Sequence, residues 1–132
     1  MKVAADTNVL LRTIVDDDEA QSARAVELLE RADMVAVSLQ TLCELVWVLR
    51  SRYGAQRADV AAAIRALLNT NNIVVNRPAA EAGLSLLDAG GDFADGVIAY
   101  DGAWLGAETF VSFDKKAVTL LTKQGQAARL LT

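Results

Sequence analysis

Apolar residues in this chain fall into short runs separated by longer segments in which they recur every three or four positions. The short runs suit buried strands and the longer segments amphipathic helices. Residues 2–6 are the first predicted strand, and residues 8–15 a short helix. The acidic run Asp16-Asp17-Asp18-Glu19 then opens a longer helix through Ala32, where negative charge complements the helix dipole. A second strand covers 34–37; Ser38 is placed to cap a helix over 39–53, and Gly54 to end it. An alanine-rich helix follows over 57–68 and a third strand over 73–75, while Pro78 suits the first turn of a helix that stops before Gly90-Gly91. Asp95 opens the next helix, 95–105; a strand over 109–113, a helix over 115–122 and a fifth strand at the edge over 128–131 complete the chain. Strands alternating with helices predict a mainly parallel sheet with helices on both faces.

Composition narrows this to one globular domain over residues 1–132: 53% of the chain is hydrophobic and it holds a single proline. No uncharged stretch reaches the roughly 18 to 20 residues of a membrane span. The closest, 34–49, is short and carries Glu44, Ser38, Gln40 and Thr41. Asp6 and Arg12 interrupt any signal-peptide core, so a soluble cytoplasmic protein with no membrane partner is expected. The one cysteine, Cys43, cannot form an internal disulfide, and its neighbours Leu42, Leu45 and Val46 predict a buried thiol. Trp47 is likewise expected in the core. A net charge of -4 argues against a general DNA-coating surface but leaves room for a local basic rim from Arg50, Arg52, Arg57, Arg65, Lys115 and Lys116.

The chemistry is bounded first by absences. With no histidine and one cysteine, imidazole-based triads and histidine- or cysteine-rich zinc sites are excluded, and no Walker A or G-x-G-x-x-G sequence is present. Carboxylates remain. Asp6 and Asp114 end apolar runs and are placed just past the carboxyl ends of strands, where open α/β sheets bind ligands. Glu44 is the only charged residue between Met34 and Leu49, and Asp95 stands at a helix start. Read singly, each has a structural alternative: Asp6 and Asp95 as helix caps, Glu44 as part of a capping box with Thr41, Asp114 as a turn residue. Against that, an unpaired carboxylate among the apolar neighbours of Glu44 is costly to bury and calls for a cation.

Two strand ends and two helix starts can converge at one end of such a sheet. Like charges about 4 Å apart repel by roughly 4 kcal/mol at an effective dielectric near 20, a penalty that a divalent cation removes. Carboxylates alone suit a hard ion such as Mg²⁺ or Mn²⁺, which activates water and offsets charge on a phosphodiester.

Four segments, Asp6-Thr7-Asn8-Val9-Leu10-Leu11-Arg12, Glu44-Leu45-Val46-Trp47-Val48-Leu49-Arg50, Asp92-Phe93-Ala94-Asp95-Gly96-Val97-Ile98-Ala99 and Ser112-Phe113-Asp114-Lys115-Lys116, resemble in order and spacing the motifs of PIN-domain ribonucleases, particularly VapC toxins. The resemblance runs over nearly the whole chain. It implies a three-layer α/β/α domain with a central, mainly parallel sheet, endonucleolytic cleavage of RNA with Mg²⁺ or Mn²⁺, inhibition by a VapB-type antitoxin, and a homodimer. It carries the catalytic and metal-holding roles onto Asp6, Glu44, Asp95 and Asp114, with Asp92 as a further metal candidate and Thr7, Asn8 and Ser112 as polar neighbours. Arg12, Lys115 and Lys116 flank these motifs and are candidates for RNA phosphates, solvated surface charge being the alternative.

Two other readings use the same residues. A Mg²⁺-dependent phosphoryl-transfer or phosphatase-like domain also places aspartates at strand ends, but the acid on a helix at Glu44 and the lack of Asp-x-Asp after the first strand count against it. A catalytically silent PIN-like RNA-binding module is the other, and the retention of all four acids disfavours it.

Overall fold

The short apolar run at the start of the chain forms β1 (Lys2–Ala4), and the run before Ser38 forms β2 (Met34–Ala36). The computed structural model describes residues 1–132. Between these strands lie α1 (Thr7–Ile14) and α2 (Glu19–Arg31); α3 (Leu39–Ser51), α4 (Arg57–Leu68) and β3 (Ile73–Val74) follow. The strands pair in parallel in the order β1-β2-β3, with Val3 opposite Val35 and Val35 opposite Ile73. Parallel neighbours need crossover connections, which the helices supply. The middle strand carries the most buried position, Val35, and Leu10, Leu42, Leu45 and Ile64 are fully buried with it. Asn72 ties the entry of β3 to the end of α2 by donating to the Leu29 and Ala32 carbonyls at 2.6 and 2.9 Å. These elements make up the first of two compact units, Met1–Asn76.

Ser38 caps α3 as its position predicts, its Oγ accepting from the Thr41 N–H at 3.1 Å, and Gly54, with φ of 61°, follows the helix end in the left-handed region. The acidic run divides its labour: Asp18 is the N-cap of α2, accepting from the Gln21 N–H at 3.1 Å, and Glu19 lies in the first turn. Two core assignments are corrected. Cys43 is only half-buried, and Trp47 is exposed, because α3 turns Leu42, Leu45, Val46, Val48 and Leu49 inward and these two positions fall beside and opposite that face.

The second unit, Arg77–Thr132, holds α5 (Arg77–Asp88), α6 (Phe93–Trp104), β4 (Phe110–Ser112), α7 (Lys115–Lys123) and β5 (Ala128–Leu130). Its strands are also parallel, with Val111 opposite Arg129. Helices α5 and α6 pack closely through glycine. A Cβ added to Gly83 would stand 2.7 Å from the Phe93 ring, and one on Gly96 would stand 2.5 Å from the Ala82 carbonyl oxygen. Leu86, Ala99 and Leu121 form a buried cluster against which Phe110, Leu120 and Ala128 pack.

Helix α6 begins earlier than the sequence suggests. Its N-cap is Asp92, not Asp95, because Phe93 is fully buried against the Gly83 gap and draws the first turn in with it. Taken together, seven helices and five strands, with three of the strands in one parallel sheet, give the α/β fold that the motif resemblance implied.

Candidate acidic site

In the first unit the carboxyl ends of β1, β2 and β3 open into a cavity of about 520 Å³ whose polar lining is Asp6, Ser38, Thr41 and Asn76. This is the rim at which parallel α/β sheets receive ligands. Asp6 is the N-cap of α1, its Oδ1 accepting from the Val9 N–H at 3.0 Å, which leaves Oδ2 outside the cap. Capping and ligand binding, which compete as readings of the sequence, are therefore compatible in the fold. Beside it Thr7 is buried and Asn8 exposed. Glu44 does not line the cavity and stands exposed on α3. The expectation that burial forces a cation onto Glu44 is thus overturned: the helix turns its apolar neighbours inward and leaves this carboxylate exposed, so burial does not itself demand a partner.

In the second unit three acids share one electrostatic neighbourhood. Asp95 sits half-buried in the first turn of α6, and its carboxyl is pushed above the ordinary aspartate range, first by burial and then by the charges of Asp92 and Asp114. Asp92 caps α6, its Oδ1 accepting from the Ala94 N–H at 3.1 Å. Asp114 caps α7, its Oδ1 accepting from the N–H groups of Lys116 and Ala117 at 2.9 and 3.2 Å. Ser112 fixes that turn, its Oγ accepting from the Asp114 N–H at 2.9 Å. Lys115 and Lys116 are exposed.

The donor set fits a hard cation. The caps at Asp92 and Asp114 use Oδ1 and leave Oδ2, and the like-charge strain on Asp95 is of the kind that a divalent ion relieves. No three acidic or sulfur side chains close to coordinating distance on their own.

Arg12, by contrast, is engaged within its own unit. Its guanidinium pairs with Asp17, and its Nε donates to Gln21 at 2.9 Å. Tyr53 Oη donates to the other oxygen of Asp17 at 2.7 Å. Sequence reading missed this network: Asp17 is one of four acids in a row, and Tyr53 lies 36 residues away. The Tyr53 hydrogen bond, with those of Arg12 behind it, holds the Asp17 carboxyl below the ordinary range despite some desolvation, and the same bond raises the Tyr53 phenol. Partial burial works against the charge on Arg12, but the hydrogen bond and charge of Asp17 outweigh it and raise its pKa. A depressed carboxyl adds stability that is present above its unfolded pKa and lost as pH falls through the lower folded one. Asp17→Asn should therefore lower the thermal midpoint at neutral pH, and the gap to the parent should close on acidification below the ordinary aspartate pKa. A gap that persists unchanged into acid would remove the carboxylate charge as its source.

Known proteins place the chain in a family. The profile of one family, the PIN domain, matches residues 3–119, a span that holds Asp6, Glu44, Asp92, Asp95 and Asp114. No curated protein matches the chain.

Proposed function

The chain belongs to the PIN-domain family, whose members are generally nucleases, and from that premise we propose that it is a metal-dependent endoribonuclease. The observation that carries the reading is a family match running through every acidic motif, joined to the like-charge strain on Asp95. The match spans both units, which supports treating residues 1–132 as one PIN-like domain. Asp6 and Glu44 of the first unit and Asp95 and Asp114 of the second are its catalytic and metal-holding acids, with Asp92 as a further holder. Thr7, Asn8 and Ser112 position them, and Lys115 and Lys116 meet RNA phosphates. The motif resemblance extends the reading to a cytoplasmic VapC-type toxin, a homodimer restrained by a VapB-type antitoxin. No helix of the chain is long and apolar enough to cross a membrane.

Mg²⁺ or Mn²⁺, when bound, would supply water activation and offset negative charge on the phosphodiester. Around it the protein contributes carboxylate oxygens. Asp6 and Asp114 present Oδ2 from caps that fix the carboxylate by backbone hydrogen bonds, so little side-chain freedom is lost on binding. In this reading water, and not the RNA 2'-hydroxyl, is the nucleophile, as in other metal-assisted hydrolyses of phosphodiesters.

Hydrolysis by water leaves a 5'-phosphate and a 3'-hydroxyl. Purified protein incubated with RNA and Mn²⁺ should give those ends by mass spectrometry, with no cleavage in chelator and no release of phosphate from a monoester. A 2',3'-cyclic phosphate as primary product overturns the water mechanism, and phosphatase activity without RNA cleavage overturns the nuclease reading. Expression of the parent chain should arrest growth, and folded Glu44→Gln should not.

A further inference from the structure

One stripe of α3 faces solvent along its whole length: Gln40, Glu44, Trp47 and Ser51, spaced as i, i+4, i+7 and i+11, are all exposed. Trp47 is 59% exposed, whereas Leu42, Leu45, Val46, Val48 and Leu49 of the same helix are buried. The indole therefore adds little to the core of its unit. It stands one turn beyond Glu44, about 4.5 Å further along the helix axis. On its far side Ser51 Oγ is turned onto the backbone, donating to the Trp47 carbonyl at 2.6 Å.

The charge along the stripe is divided by the indole, with Glu44 on the cavity side and cations at the helix end. No acidic residue follows Glu44 in α3, and the end of the helix carries exposed Arg50 and Arg52. Arg50 Nη1 donates to the Ala55 carbonyl at 2.9 Å, which holds its guanidinium at the helix end. At the opposite end, Ser38 and Thr41 line the strand-end cavity that also holds Asp6. A ligand following this stripe from the cavity meets a carboxylate, then a flat apolar face, then two cations. The polymer that combines flat apolar faces with regularly spaced negative charge is a single-stranded nucleic acid, whose bases stack on aromatic side chains without sequence preference.

We propose that Trp47 is a substrate-positioning residue that stacks an unpaired nucleobase of single-stranded RNA, with Arg50 and Arg52 taking the adjoining phosphates. This rests on the ribonuclease reading above and adds to it the residue that holds a base; a continuous duplex, whose bases are already stacked and paired, offers none to it.

The test uses the intrinsic fluorescence of Trp47. The chain has two tryptophans, and Trp104→Phe removes the other one, which is exposed in the second unit. In chelator, to prevent cleavage, a short unstructured oligoribonucleotide should quench the remaining emission, and the same sequence annealed into a blunt duplex should not. In Mn²⁺, Trp47→Ala should raise KM for single-stranded RNA by about 5- to 150-fold with kcat little changed, the range that loss of one base–aromatic stack implies, and Trp47→Phe should restore most of it. Equal circular dichroism spectra and thermal midpoints establish that the exposed site has not altered the fold. Cleavage with unchanged KM in Trp47→Ala, or binding without quenching, overturns the proposal and leaves the nuclease reading intact. Quenching by single strands in a protein that cuts no RNA keeps the stacking site and removes the catalytic reading. If Trp47→Ala instead shifts the sedimentation of the free protein from dimer to monomer and leaves KM and quenching untouched, the indole serves a protein interface and the proposal fails.

Discussion

Asp95→Asn is expected to suppress RNA cleavage by about 10²- to 10³-fold, the cost of removing one preorganised electrostatic group from a reaction centre, while raising the thermal midpoint of the metal-free protein. The two effects have one origin. Burial and the charges of Asp92 and Asp114 disfavour the ionised Asp95 carboxylate in the folded chain. Its folded pKa is raised, so its contribution to stability is fully present below the unfolded pKa and lost as pH rises through the folded value. At neutral pH in chelator the parent carries that penalty and the amide does not. Below the ordinary aspartate pKa the two proteins should melt together. Mn²⁺ should reverse the order at neutral pH, because a ligand bound only by the folded state stabilises it by about 2.7 kcal/mol at a hundredfold excess over Kd, and the amide weakens that ligand's hold. Thermal melts of both proteins at neutral and acid pH, with chelator or Mn²⁺, check every arm. Coincident neutral midpoints in chelator would remove the electrostatic account of Asp95.

Gly96→Ala should produce the largest loss of stability of any glycine-to-alanine change in the chain. The new Cβ falls 2.5 Å from the Ala82 carbonyl oxygen and 2.9 Å from the Gly83 Cα, both backbone atoms of α5, so no side chain can swing aside. Relief requires the helices to part, which uncovers Phe93 and shifts the turn that carries Asp95. Overpacking of this kind costs about 1–3 kcal/mol, and contact with backbone places it at the upper end. Gly102→Ala in the same helix is the matched control. Its Cβ meets only Ala107 Cβ at 4.0 Å, and replacing a helical glycine there gains up to about 1 kcal/mol in helix propensity. If calorimetric melts place both variants on the same side of the parent, close packing at Gly96 is not what holds α6 in place.

The elements were legible where local chemistry decides them. Ser38 and Gly54 bracket α3 because a hydroxyl cap and a left-handed glycine act within a few residues. The start of α6 was misread because Asp92 and Asp95 are equally good caps by type, and the choice between them is made by Phe93 fitting the space left by Gly83, a contact ten residues apart in sequence. Exposure on α3 was hidden for the same reason. Glu44 and Trp47 sit among apolar neighbours in the sequence, yet which of these turn inward depends on the helix phase set by packing against α1 and α4. The acids themselves could be found as residue types at element ends. The charge coupling of Asp92, Asp95 and Asp114 could not, since it requires two helix starts to be neighbours in space.

The capping roles alter what the presence of an acid says about a chain of this type. Asp6, Asp92 and Asp114 each close a helix N-terminus through Oδ1, a contribution of about 1 kcal/mol that survives whether or not anything is ever cleaved. Drift in a descendant that had lost its nuclease would be held back at those three positions by folding alone. Asp95 weakens the fold it belongs to, and Glu44 caps nothing. Under the proposed roles of Asp95 and Glu44, a relative released from catalysis would lose these two first, and would be recognised by that loss rather than by the number of aspartates it keeps.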